Sequence, residues 1–336
     1  MEFVPLDAAD PTAMAAWHAA YHEAMVADVQ HPSPWMLEEM RAQLLGESPG
    51  ERVEAWAGHV DGRLAVTGVL ELPQLDNLDM AYLEVATPPA QRRRGHGSRM
   101  LEHLTALAAR QGRRTLLVEA AWEYDAAPDG AGTPNADFLT GRGFAFSLGD
   151  VKRALDLPVP EDRLDRLEQE SRAAHAAYTL RHFAGPVPDD IIDALGELVG
   201  SLATEAPMGD LELEREVYDA ARIRAEEKIQ EAAGRLKYTT VAVAPDGELA
   251  AYTDLVLPAH DPGHVHQWGT LVRPEHRGHR LGMAVKVRNL RELQAAQPGP
   301  RLLYTYNAEV NLHMIAVNEA LGCYPVGRLG EFQRKL

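Results

Sequence analysis

Apolar positions recur with a period of two in several short stretches of the chain and with a helical period in others, and the order of these stretches is informative. An apolar run at 3–6 predicts a strand, followed by a helix from about Asp10 and a second helix after Pro34. Stretches 53–60 and 64–72, joined by Asp61-Gly62, predict a β-hairpin, because Asp-Gly supplies the left-handed backbone that a tight turn needs. A further strand at 80–87 runs into a basic loop containing glycine. Beyond it Met100, Leu101, Leu104 and Leu107 fall at helical spacing and predict a helix over 97–111 with one buried stripe, followed by a strand at 115–121.

After Pro158-Val159-Pro160 the composition shifts to Glu, Asp, Arg and Ala, which predicts a charged linker helix over 158–177. The same order of elements then returns. A strand at 178–183 precedes helices in 189–205 and 212–233, and strands 238–244 and 249–257 flank the turn Asp246-Gly247. A strand ending in Thr270-Leu271-Val272 leads into a second basic loop and helix. Aligning Pro89 with Pro274 brings Arg92 onto Arg277 and Gly97 onto Gly282, the signature of a duplicated unit. The sequence therefore predicts an α/β (α+β) chain of two tandem copies, one over 1–157 and one over 178–336.

Length agrees with two domains, since 336 residues exceed the span of one ordinary core. A charged fraction of 25% and a hydrophobic fraction of 46% fit a soluble protein; no membrane-spanning run or signal segment is evident, so a cytoplasmic location is expected. Cys323 is the single cysteine, which excludes an internal disulfide framework. The net charge of −17 repels phosphate backbones and anionic lipid and favours cationic partners. Neither nucleic acid nor a membrane is expected as a partner; the chain is expected to be a monomer or homodimer.

The first loop reads Pro89-Ala90-Gln91-Arg92-Arg93-Arg94-Gly95-His96-Gly97-Ser98 between a strand and a helix. Free amides at a helix start, unobstructed by Cβ atoms, can cradle a pyrophosphate. A Rossmann site does not fit, because the loop follows the fourth strand rather than the first. The loop resembles the acetyl-CoA loop of the GCN5-related N-acetyltransferase (GNAT) family, with Arg92, Gly95 and Gly97 at its key positions. The second loop, Arg277-Gly278-His279-Arg280-Leu281-Gly282, departs from that pattern by placing Arg280 where the first glycine belongs. The tandem arrangement is similar to that of mycothiol synthases within the family.

The resemblance implies two copies of a mixed, mostly antiparallel sheet flanked by helices, with acetyl-CoA as cosubstrate and no metal. It also implies cofactor contacts from Val85, Ala86 and Thr87 beside the first loop, from Thr270, Leu271 and Val272 beside the second, and from Asn311. The implied activity is acetyl transfer to a primary amine of a small molecule, cationic ones included, by direct attack. Non-catalytic binding of acetyl-CoA, as a sensor or scaffold, and acetylation of mycothiol-like precursors or protein N-termini are the alternatives. Glu84 in the first copy and His266 in the second stand where members of the family carry a base. Read without the resemblance, Glu84 is a surface strand residue, and His260, Asp261, His264 and His266 form a weak metal-ligand pattern. The family's tyrosine acid is replaced by Leu139 in one copy and Asn318 in the other, which leaves Asn318 as a candidate contact to the thiolate. The acidic stretch Thr204-Glu205-Ala206-Pro207-Met208-Gly209-Asp210 is a further candidate for contacting an amine.

Overall fold

A computed structural model describes every residue except Met208 and Glu212. The elements run β1 (Glu2–Pro5), α1 (Pro11–Met25), α2 (Leu37–Leu45), β2 (Glu51–Val60), β3 (Arg63–Pro73), β4 (Met80–Ala86), α3 (His96–Arg110), β5 (Thr115–Trp122), α4 (Pro134–Thr140) and β6 (Ala145–Asp156). They continue with α5 (Glu161–Arg172), β7 (Thr179–Ala184), α6 (Ile192–Gly200), α7 (Leu202–Glu205), α8 (Ala220–Ala232), β8 (Arg235–Val243), β9 (Leu249–Pro258), β10 (His264–Val272), α9 (Leu281–Ala296), β11 (Leu302–Ala308), α10 (Leu312–Leu321) and β12 (Tyr324–Lys335).

Two compact units result. Unit 1 contains Met1–Gly149, Gly209–Leu211 and Gly327–Leu336, and unit 2 holds the remainder between Asp150 and Val326. In unit 1 the strand order is β1-β2-β3-β4-β5-β12, and in unit 2 it is β7-β8-β9-β10-β11-β6. Within each unit the paired strands run antiparallel except for one parallel pair, β4 with β5 and β10 with β11.

The expected contiguous halves are therefore corrected. Unit 1 takes its last strand from the C-terminus, where Phe332 of β12 pairs with Val118. Unit 2 takes the equivalent strand from the middle of the chain, where Arg153 of β6 pairs with Thr305. The expected linker helix is α5, whose Leu164 and Leu167 are buried in the core of unit 2 beside Val287 and Leu290. The helices expected at 189–205 and 212–233 are interrupted, so that α6 and α7 share the first stretch and α8 begins only at Ala220, where Asp219 caps it by accepting from Arg222 N.

In unit 1, α3 lays Met100, Leu101, Leu104 and Ala108 against Leu70, Leu83, Val118 and Phe332. The opposite face of the sheet is covered by α1 and α2, with Met14, Trp17 and Tyr21 packed on Ala55, Val69 and Ala86. Each large side chain so buried stabilises the unit by about 1.5–3 kcal/mol. Unit 2 repeats the plan. Leu290 and Leu293 of α9 meet Leu255, Val265 and Leu303, while Leu195, Leu198 and Ile223 from α6 and α8 meet Val241 and Tyr252. Among the described residues, no helix is long and apolar enough to cross a membrane.

Candidate active site

The parallel pair in unit 1 holds for only three rungs, Met80 with Thr115, Ala81 with Leu116 and Tyr82 with Leu117. Past Tyr82, β4 stays with β3 and β5 with β12, so the two strands part as a fork. Glu84, Val85 and Ala86 lie on the free arm, followed by Thr87. Strand edges opened in this way offer N–H and C=O groups to an extended, amide-bearing ligand.

The chain leaves β4 through a single helical turn at Pro89–Gln91 and reaches α3 by two left-handed residues, Arg93 (φ 62°) and Gly95 (φ 80°). Gly95 is the N-cap of α3 and carries no side chain to satisfy the first turn, so the amides opening the helix, at His96, Gly97 and Ser98, have no side-chain cap. That is an anion-binding end by both hydrogen bonding and dipole. Gly95 is there for its backbone angle, since a Cβ would meet nothing within 4 Å, whereas a Cβ on Gly97 would stand 3.2 Å from Thr87 Oγ1. Arg92 does not point toward this end. Its Nε donates to Thr87 O at 3.0 Å and its Nη1 pairs with Asp28 at 2.7 Å, tying the loop to the end of α1. Arg93 and Arg94 are exposed beside the loop. Ser98 Oγ accepts from Arg142 Nε at 3.1 Å, and burial with Arg94 and Arg99 nearby lowers the pKa of His96.

Glu84 pairs across the sheet with Val69, on the face that α1 covers. Its Oε1 is sealed from solvent without a hydrogen-bond partner. Burial, then the charge of Glu119, pushes its carboxyl up to about 7. Tyr21 lies close enough that burial and the Glu84 charge together raise its hydroxyl far above its ordinary value. Neither Glu119 nor Tyr21 lies near a motif, so no pattern in the sequence marks them.

The fork recurs in unit 2 with rungs His264–Leu302, Val265–Leu303 and His266–Tyr304. His266 sits on the last paired rung, the place of Tyr82 in unit 1, and so stands short of the free arm. Its ring packs at a tilt on Tyr304, 6.3 Å between centroids, while His264 stacks on the same ring and bonds Asp261 at 2.8 Å. Among the described residues, no group of three or more His, Cys, Asp or Glu could hold a metal ion. Beyond the fork β10 bulges at Trp268-Gly269, and Thr270, Leu271 and Val272 rejoin β9.

The second loop keeps the left-handed pair but exchanges its residues, with Gly278 (φ 88°) first and Arg280 (φ 52°) second. An arginine thus occupies the N-cap of α9, and its Nη1 donates to Glu170 O of α5 at 3.3 Å. Arg277 repeats the role of Arg92, with Nε donating to Val272 O at 3.4 Å and Nη2 pairing with Glu205 at 3.2 Å. Glu205 is thereby engaged, and Met208 of the same acidic stretch lies outside the described residues. His279 Nδ1 bonds Ala174 O at 3.1 Å. Leu281 and Gly282 are buried where their counterparts His96 and Gly97 are half-open.

Asn311 caps α10, accepting from Met314 N at 3.2 Å. Asn318 is buried and donates through Nδ2 to Asn307 Oδ1 at 2.5 Å. Both asparagines hold α10 in place. Lys152 was missed with its strand; it lies over the Tyr304 ring, 4.1 Å from the centroid, and burial lowers its pKa to about 7.

No protein-family model and no curated protein matches the chain. Solved structures do. One is a tandem GNAT protein from the clavulanic acid biosynthesis pathway, 29% identical with a TM-score of 0.80 over 99% of this chain and 98% of that one. Another is a GCN5-related N-acetyltransferase from Sphaerobacter thermophilus, 16% identical with a TM-score of 0.61 over 99% of this chain and 95% of that one. A putative acetyltransferase from Pyrococcus horikoshii, 12% identical, aligns at a TM-score of 0.56 over 100% of this chain and 89% of that one. The last two share the fold alone.

Proposed function

We propose that the chain, whose fold is that of a tandem GCN5-related N-acetyltransferase, is a member of that family and that unit 1 transfers the acetyl group of acetyl-CoA to a primary amine of a small molecule by direct attack. The observation that carries the reading is the placement of Glu84, a sealed carboxyl on the free arm of the fork, on the face away from α3. The uncapped start of α3 suits the diphosphate, and the parted edges of β4 and β5 suit the pantetheine amides.

The Val85 and Ala86 strand segment offers backbone N–H groups to the thioester carbonyl, stabilising the negative charge that develops there. Glu84, with a carboxyl at about 7, removes a proton from the acceptor ammonium, so that a neutral amine forms the new C–N bond as the C–S bond breaks. The departing thiolate takes up, through water, the second proton that the amine nitrogen sheds as it becomes an amide, since Leu139 is a buried apolar side chain at the place of the family's tyrosine. Glu84 and Glu119 together give the acceptor face a negative field that draws in a cationic amine. The pathway named for the tandem neighbour, clavulanic acid biosynthesis, supports a small-molecule acceptor.

The test is calorimetry with acetyl-CoA, followed by thiol release with a panel of amines across pH. The rate is expected to rise with pH through about 7, as Glu84 loses its proton. Glu84→Gln is expected to lower turnover by about 10²- to 10⁴-fold without abolishing acetyl-CoA binding. Binding with no turnover for any amine would turn the reading to the sensor that the absent tyrosines favour. No binding at all would end both.

A further inference from the structure

The registers of the two forks equate positions in unit 1 with positions in unit 2. Leu117 and Tyr304 occupy the same rung, so Val118 corresponds to Thr305 and Ala120 to Asn307. Their partners across the next strand are Phe332 for Val118 and Arg153 for Thr305. The bonds Phe144 N to Leu139 O and Cys323 N to Asn318 O are the same bond in each copy, which equates Phe144 with Cys323 and Leu139 with Asn318. From the loop alignment, Leu101 corresponds to Lys286.

In unit 1 all six positions lie in one apolar core. In unit 2 the same six are Lys286, Thr305, Asn307, Asn318, Cys323 and Arg153, and five of them are buried, with Lys286 3%, Arg153 6% and Asn318 1% exposed. Asn307 and Asn318 satisfy one another. Arg153 is not satisfied: its Nε and Nη1 are sealed from solvent with no hydrogen-bond partner. Lys286 is buried too, and that burial lowers its pKa to about 8, against the influence of Cys323. Their unit 1 counterparts, Phe332, Leu101 and Phe144, share one core cluster, which puts Arg153, Lys286 and Cys323 at neighbouring places in unit 2, in keeping with the influence of both basic groups on the Cys323 thiol. Among the described residues neither cation has a carboxylate partner.

Burying basic side chains without a counter-charge is unfavourable, and a core that needed only to be filled would be apolar, as in unit 1. We propose that unit 2 binds a compact oxyanion, a carboxylate or phosphate group, between Arg153 and Lys286 beside Cys323. Arg153 presents Nε and Nη1 to it as a charge-assisted donor pair, and Lys286 supplies a point charge from α9. The site is separate from the start of α9, and the assignment does not depend on acetyl transfer.

Inorganic phosphate and acetate, each titrated against chloride at constant ionic strength, test this on the full chain. One of them is expected to raise the melting temperature saturably, by about 5 °C at a hundredfold excess over its Kd. The same anion is expected to slow alkylation of Cys323 by iodoacetamide with the same midpoint, because neutralising the cations disfavours the thiolate. As Cys323 is the only cysteine, the signal comes from this site alone. Arg153→Met and Lys286→Met are expected to lose both responses. Phosphate active and acetate silent identifies a phosphate ligand, and the reverse a carboxylate. If neither anion changes the wild-type alkylation rate, or if the melting response survives in both variants, the site does not exist.

Discussion

Glu84 gives the first test at the level of single side chains, because its ionisation links chemistry to stability. A carboxyl at about 7 in the folded chain, against an ordinary 4.5, keeps a proton that the unfolded chain releases earlier. The unfolded state therefore binds fewer protons between those values, and stability falls as pH rises through that window and levels off above about 7. The full difference corresponds to an upper bound of about 3 kcal/mol. Melting curves from pH 5 to 8 are expected to show this slope in the wild type and to lose its Glu84 share in Glu84→Gln, provided the fold is kept. An unchanged slope in the variant would show that Glu84 titrates normally and remove it as the base. Arg280 illustrates the opposite case, a residue whose side chain departs from the glycine pattern while its backbone keeps it. It holds the left-handed conformation that Gly95 holds in unit 1, at a cost of order 1–2 kcal/mol, and Gly278 takes the other left-handed position.

At the scale of elements, the sequence was most legible where local patterns decide the structure. Hairpins at Asp61-Gly62 and Asp246-Gly247, strand β4 and helix α3 formed within three residues of expectation, because turn chemistry and one apolar stripe specify them. Strands β6, β11 and β12 were not legible. β12 and β6 close the sheets of their units and β11 lies inside one, all with mixed faces, and Lys152 and Arg153 interrupt the apolar run that would have marked β6. The distance from Arg92 was enough to find the position of Glu84 on the free arm, whereas His266 lies on the last paired rung, two residues before the equivalent place, since the fork is fixed by β11 rather than by the loop. The notch between β4 and α3 offers a test that separates the units. Gly97→Val pushes a side chain against Thr87 and Phe138, while the Cβ of Gly282 has only Val272 nearby, at 3.8 Å. Gly97→Val is expected to weaken acetyl-CoA binding at least about tenfold by calorimetry, or about 1.4 kcal/mol, and Gly282→Val to leave it unchanged. The reverse result would move the cofactor to unit 2.

For the whole chain, the exchange of closing strands decides what can fold alone. A contiguous reading makes residues 1–157 an independent domain, yet that fragment lacks β12, and with it Phe332, which is fully buried in the core of unit 1. Removing a buried Phe side chain alone costs about 3–5 kcal/mol. Here the loss includes the eight rungs from Arg328–Trp122 to Lys335–Thr115, which leaves β5 as a bare edge. Ordinary domain stabilities of about 5–15 kcal/mol do not absorb that. The fragment 1–157 is therefore expected to lack a cooperative thermal transition and to aggregate. Residues 1–149 followed by a glycine-rich linker and 327–336 are expected to recover the transition, because that chain restores the β5–β12 register. Circular dichroism melts of the two fragments check the point: a cooperative melt of 1–157 equal to that of the linked form would mean that unit 1 closes without its C-terminal strand.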